Sequence, residues 1–324
     1  MQLGGPPLVG SLDTWEIARH EQRGLVTRAQ CLAAGLSPKA IEWRLTTGRW
    51  RRVMPGVYQT SPGRDDWWTG AVAALLAVDT SAWSHRRAAY AWGLVRDPPS
   101  AIDLVIPEAR RVSPPPGVIT HRVNDVDDRV DPLHWPWRTT VEETILDVAT
   151  AAPPDEVFAL LGRAFQRHLT DEETVLRRLK ARLRHPQRQL LTTVLAATAE
   201  GVESAIEGRY LQHVERAHRL PHGVRQLRRE DGARQRHDVG YPEQRVLVEL
   251  DGRLAHEGFA AQIRDGRRDR RGAGSGWLTV RAFWPDVAVT PCELAVDVTA
   301  VLVDRGWTER PQPCRRSSCV IRRP

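Results

Sequence analysis

The chain has 324 residues, 41% of them hydrophobic and 27% charged. That is enough for two or three domains with their own cores, and it excludes a disordered polymer. The net charge of +7 points toward a polyanionic partner such as DNA, although a basic face kept for solubility explains the charge equally well.

No apolar run approaches the length of a membrane span, and residues 1–24 lack the basic start and apolar core of a secretory signal. A cytoplasmic protein with no membrane partner is expected. Positive charge is unevenly placed. Residues 1–60 hold eight Lys and Arg against four Asp and Glu, residues 61–199 hold 17 against 18, and residues 200–324 hold 22 against 18, with five arginines after Glu309. Only Lys39 and Lys180 are lysines, a bias that fits a GC-rich bacterial genome. Cys31, Cys292, Cys314 and Cys319 show no metal-ligand spacing. For Cys314 and Cys319, in a basic tail, neither a disulfide nor a zinc set is favoured. Reduced thiols are expected.

The N-terminal stretch, residues 1–60, predicts a winged helix-turn-helix. A first helix is capped by Ser11 or Asp13 and stops at Gly24; a second starts at Thr27 and turns at Gly35. A third has Ser37 as N-cap, Pro38 at its first position and Gly48 at its end. "RWRRVMPGVYQT" then predicts a hairpin about Pro55 and Gly56. In such a fold the helix from Pro38 to Thr47 enters the major groove, with Lys39 and Arg44 on bases or phosphates, while Arg49, Arg51 and Arg52 hold phosphates from the wing. The competing reading is a winged helix used for protein contacts, with Trp43 and Trp50 packed in its core.

Residues 61–199 predict a mostly helical region with two short strands, "AIDLVIP" and "GVITHRV", around a proline-rich loop. His85, His121, His134 and His168 show no spacing that would gather a metal. With the N-terminal stretch, "WSHRRAAYAWGL", "IDLVIP" and "WRTTVEETILDVA" make residues 1–180 resemble the AbiEi antitoxins of bacterial type IV toxin–antitoxin systems. The resemblance implies a winged helix that binds the operon's own promoter, and a cognate toxin as partner.

From residue 200 to 307 the pattern is helix, hairpin, helix, strand, helix, an α/β arrangement. The two hairpin strands are placed on either side of a turn through Gly240 and Pro242. In "RVLVELDG", residues 245–252, Glu249 and Asp251 share one face of an otherwise apolar strand. Carboxylates withdrawn from water need a cation or hydrogen-bond donors. Asp238 closes the preceding strand, so pairing of the two strands would bring three carboxylates together, a donor set suited to Mg²⁺ or Mn²⁺. A metal so held can supply hydroxide to a phosphodiester.

The order Asp238, Glu249, Asp251, Gly252, His256, Asp265, Arg268, Asp269, with Glu207 on the leading helix, resembles the PD-(D/E)xK restriction-endonuclease-like superfamily, in particular its very-short-patch-repair (Vsr-like) endonucleases and a related family of unknown function. The resemblance implies an α/β/α domain and Mg²⁺-dependent DNA cleavage. Asp238 and Glu249 would be metal ligands, Asp251 a third ligand or water-orienting group, and His256 an acid/base or supporting group. Glu207, Asp265, Arg268 and Asp269 would support them. The superfamily's motif lysine is absent, because Asp251 stands at its place and no lysine follows Lys180. Taken singly, Asp238 is a common turn-flanking residue, His256 a common loop residue, and the arginines from Arg264 to Arg271 a solvated helix face.

The sequence thus predicts an α+β, multidomain chain: a winged helix at 1–60, a helical region at 61–199, an endonuclease-like domain at 200–307 and a disordered basic tail at 308–324. Two functions are open, a metal-dependent endonuclease linked to defence or repair and a non-catalytic antitoxin or promoter regulator. A fold used purely for protein contacts is the third. Nothing in the sequence sets the oligomeric state.

Overall fold

The computed structural model describes residues 20–61, 66–199, 202–228, 236–251, 276–316 and 319–321. The expected first helix lies almost wholly outside them, as does the segment with Gly252, His256, Asp265, Arg268 and Asp269. The architecture mixes helices with three small sheets, and the chain divides into two compact units, Met1–Val148 and Ala149–Pro324.

In the first unit, β1 (Leu25–Thr27) leads directly into α1 (Arg28–Ala33). Thr27 makes the switch abrupt. Its hydroxyl accepts from the Gln30 N–H at 3.1 Å, while the Gln30 carboxamide accepts from the Thr27 N–H at 2.8 Å. This reciprocal cap satisfies two helix-end donors. Gly35, at φ +82°, turns the chain. Ser37 then caps α2 (Pro38–Thr46), its hydroxyl accepting from Ala40 N–H at 3.2 Å with Pro38 at the first position. β2 (Arg51–Met54) and β3 (Val57–Gln59) form the expected hairpin, and β1 pairs with β3 to give the order β1-β3-β2.

The expected boundary at residue 60 is not where the chain divides. Leu25 and Val57 share a core with Ala71–Leu76 of α3 (Trp67–Ala77), and with Trp83, Leu104 and Ile106. The apolar face of this sheet must be buried against another element, and α3 supplies the covering layer. Trp83 ends the short β4 (Ala82–Trp83), which sequence periodicity missed. It pairs antiparallel with β5 (Ile102–Pro107), and β5 pairs parallel with β6 (Val118–Val123). Between β4 and β5 runs α4 (His85–Ala91); α5 (Val126–Arg129) and α6 (Val141–Ala149) follow β6. Arg87 of α4 is 1% exposed. It lies 3.9 Å over the Trp67 ring and donates to the carbonyls of Pro99 and Ala101. Burial pushes its guanidinium down to about 10.

The second unit begins inside the expected middle region. It comprises α7 (Pro154–Gln166), α8 (Glu172–Ala181), α9 (Arg188–Ala199) and α10 (Val202–Arg209), the last continuing into a π-helical stretch, Tyr210–Arg216. Its sheet has the order β10-β9-β8-β7, from β7 (Val224–Arg228), β8 (Arg236–Tyr241), β9 (Val246–Asp251) and β10 (Leu278–Phe283). Only the β9–β10 pair is parallel. Val246, Leu247 and Val248 are fully buried, as expected of a central strand covered on both faces. α11 (Trp284–Ala288) and α12 (Pro291–Asp304) complete the unit.

Three expectations change here. β7 was not anticipated, because "VRQLR" alternates exposed and half-buried residues as a polar edge strand does. The turn after β8 lies at 242–245, so Gly240 and Tyr241 belong to the strand and Asp238 is mid-strand. Gly240 is needed there, since a Cβ would come within 2.1 Å of the Leu227 side chain. The tail is also not free of the domain. Gln312 N–H donates to the His218 carbonyl at 2.8 Å, and Ile321 is 8% exposed.

Candidate functional site

The N-terminal candidates occupy one short stretch of chain, α2 and the β2 strand that follows it. Of α2 only Ile41 is buried; Lys39, Glu42 and Trp43 are exposed, as are Arg49, Arg51 and Arg52. Trp43 is 48% exposed, with the Arg49 guanidinium 4.5 Å from its ring centroid. It is therefore surface rather than core. Trp50 does pack inward, stacking on Tyr58 with centroids 6.3 Å apart. Arg44 belongs with Trp50: it donates to the Ala40 carbonyl at 2.9 Å and lies 5.3 Å over the Trp50 ring. Its guanidinium braces the helix on the hairpin, which leaves Lys39, Arg49, Arg51 and Arg52 as the outward charges. Arg51 also donates to the Gln59 carboxamide at 2.9 Å.

In the second unit, the strand pairing puts Asp238 on β8 beside β9, where Glu249 and Asp251 lie. Their oxygens do not converge. The Asp238 carboxylate accepts from the Leu250 N–H at 2.7 Å, and Glu249 is 2.5 Å from His237 Nδ1. Among the described residues, the groups of three or more His, Cys, Asp or Glu ligand atoms within 4.8 Å are two other sets. Asp238, Glu249 and Asp251 are not one of these sets, whereas a Mg²⁺ or Mn²⁺ ion takes several oxygens on one centre. Glu207, expected to support them, accepts instead from the Gln226 carboxamide on β7 at 2.7 Å. His237 was missed in the sequence because no pattern marks a strand histidine that meets a carboxylate on the next strand.

Behind the sheet lies a second group that sequence reading did not single out. The Glu215 carboxylate, on the π-helical stretch, is 3% exposed; it is met by Arg225 of β7 at 2.9 Å and by His222 at 3.0 Å. The Tyr241 hydroxyl lies 3.4 Å from the same carboxylate and 3.0 Å from the Tyr210 hydroxyl. Burial drives both tyrosines well above the ordinary phenol range, so both stay neutral. Glu215, Tyr210 and Tyr241 are buried while His222 is exposed at the rim, which suits a structural brace.

The two ligand groups come from residues far apart in sequence. One is His85, Asp103 and His121, with His121 Nε2 at 2.9 Å from Asp103 and the imidazoles stacked at 3.8 Å. The other is His218, Cys292, Cys314 and Cys319. Spacing gave no sign of either.

Residues 17–61 match the family model described as "Transcriptional regulator, AbiEi antitoxin". No curated protein matches the chain. No helix among the described residues is long and apolar enough to cross a membrane.

Proposed function

We propose that the chain is a DNA-binding transcriptional regulator of antitoxin type, which binds the promoter of its own operon. The match to an AbiEi antitoxin regulator falls on 17–61, the same stretch that holds α1, α2 and the β2–β3 hairpin. That coincidence carries the reading. α2 exposes Lys39, Glu42 and Trp43, and the chain that follows it into the hairpin exposes Arg49, Arg51 and Arg52. In a winged helix these are the places from which a helix meets base edges and a wing holds phosphates. A cytoplasmic location and a cognate toxin partner belong to the same reading.

The other reading, a restriction-endonuclease-like domain cleaving DNA with Mg²⁺ or Mn²⁺, draws on the neighbouring strand positions of Asp238, Glu249 and Asp251. The His237 contact to Glu249 and the spread of the carboxylates weigh against it. One experiment separates the two. The purified chain is incubated with DNA from upstream of its gene, with unrelated duplex and with supercoiled plasmid, in Mg²⁺, Mn²⁺ or EDTA, beside Glu249→Ala. A shift of the upstream DNA that is unaffected by EDTA and by Glu249→Ala, with the plasmid intact, supports the regulator. Metal-dependent nicking abolished in Glu249→Ala would replace it with the nuclease.

A further inference from the structure

The described residues include one place where four soft ligand atoms meet. His218, just past the π-helical stretch, Cys292 in the first turn of α12, and Cys314 and Cys319 in the tail each offer one atom, all within 4.8 Å of one another. Cys292 Sγ and Cys314 Sγ are 3.6 Å apart. Two thiolates on one tetrahedral zinc, each about 2.3 Å from the metal, stand about 3.7 Å apart.

His218 is the observation that points to a ligand. Its side chain is fully buried, its Nδ1 is 2.9 Å from the Gln312 carbonyl, and its Nε2 is buried with no hydrogen-bond partner. A proton on Nδ1 donated to that carbonyl leaves Nε2 with a free lone pair. That is the tautomer a metal-binding imidazole has when its second nitrogen is fixed by a carbonyl. The Gln312 N–H returns a bond to the His218 carbonyl at 2.8 Å, and the Arg316 N–H points to Cys314 Sγ at 3.4 Å. Cys292 lies in the first turn of a 14-residue helix, which fixes its position beside Cys314. A disulfide explains less. All four cysteines are free thiols, a bridge would use two of the three gathered here, and it would leave His218 without a role.

We propose that His218, Cys292, Cys314 and Cys319 form a closed Cys₃His zinc site that clamps the basic tail onto the C-terminal unit. Three thiolates and an imidazole suit zinc by softness and number, and with every position filled by protein the site is structural rather than catalytic. Binding releases the three thiol protons, so retention of the metal falls as pH falls.

The test uses the full chain. Metal analysis of protein purified without chelator is expected to give about one zinc per chain. The double variant Cys314→Ser/Cys319→Ser and the single variant His218→Ala lose it, whereas Cys31→Ser, in the other unit, keeps it. Wild-type chain stripped of metal and titrated with Co²⁺ develops the intense visible bands of a tetrahedral thiolate site and saturates at the same stoichiometry, which needs no variant to fold. Trypsin then cuts the stripped chain at Arg315 and Arg316 at least tenfold faster than the zinc-loaded one. Absence of zinc together with absence of cobalt bands would overturn the proposal. So would a Cys292–Cys314 or Cys314–Cys319 disulfide in protein kept under reductant, or undiminished zinc in the double variant.

Discussion

Replacing Arg225 with alanine removes the principal cation facing Glu215. Glu215 is 3% exposed, and of its two basic neighbours His222 is 83% exposed while Arg225 is 25% exposed. Breaking a buried pair from one side costs about 3–5 kcal/mol, because the remaining charge is left in a poor medium. The partial exposure of Arg225 and the Tyr241 hydroxyl on the same carboxylate place this one near the lower end, at about 3 kcal/mol. For a unit the size of Ala149–Pro324, each kcal/mol moves the midpoint by about 2–4 °C. Arg225→Ala should therefore lower the unfolding temperature of that unit by about 6–12 °C. Glu215→Gln/Arg225→Met, which removes both charges, should recover more than half of that loss. The assay is thermal unfolding followed by circular dichroism and tryptophan fluorescence, with the metal content of each sample matched. A fall of under 2 °C in Arg225→Ala, or a double variant worse than the single, would refute the view that Glu215 relies on Arg225.

Two further outcomes follow from single side chains. Trp43→Ala should leave thermal stability within about 1 kcal/mol, since the residue is half exposed, yet weaken binding to upstream DNA by about 1–2 kcal/mol; calorimetry and a mobility shift together check this. Gly240→Ala should cost about 1–3 kcal/mol by forcing a methyl against Leu227, and Leu227→Ala in the same chain should relieve part of it, as a denaturant titration would register.

What the sequence made legible was local. Thr27, Ser37 and Pro38 announce their helices because a cap acts over three or four residues, and each sits at the start of its helix in the structure. The mixed α+β character was equally plain. β7 was hidden because an edge strand buries too little to impose alternation on its residues. That the core runs across residue 60 is non-local: the apolar sides of Leu25 and Val57 are completed by α3, and no local pattern marks the sharing.

The candidate sites divide in the same way. Exposed arginines on the hairpin were readable from charge, while the turning back of Arg44 onto Trp50 depends on packing. Glu249 and Asp251 were rightly seen as unusual in an apolar strand. The partner the structure gives Glu249 is His237, a residue on the neighbouring strand that only the pairing supplies. The cysteine–histidine group spans residues 218 to 319, and ligand spacing is informative only when ligands share a turn or hairpin.

The most direct test of DNA recognition by the N-terminal unit is the salt dependence of binding. Anisotropy of labelled upstream duplex, titrated with the wild-type chain and with Arg49→Ala/Arg51→Ala/Arg52→Ala over a range of salt, gives the slope of log affinity against log salt. Each lost phosphate contact lowers that slope by about 0.9, so three lower it by about 2.7. If Arg49, Arg51 and Arg52 hold phosphates, the triple variant has a weaker, flatter salt response; an unchanged slope and affinity, or no binding by the wild-type chain, would contradict that role.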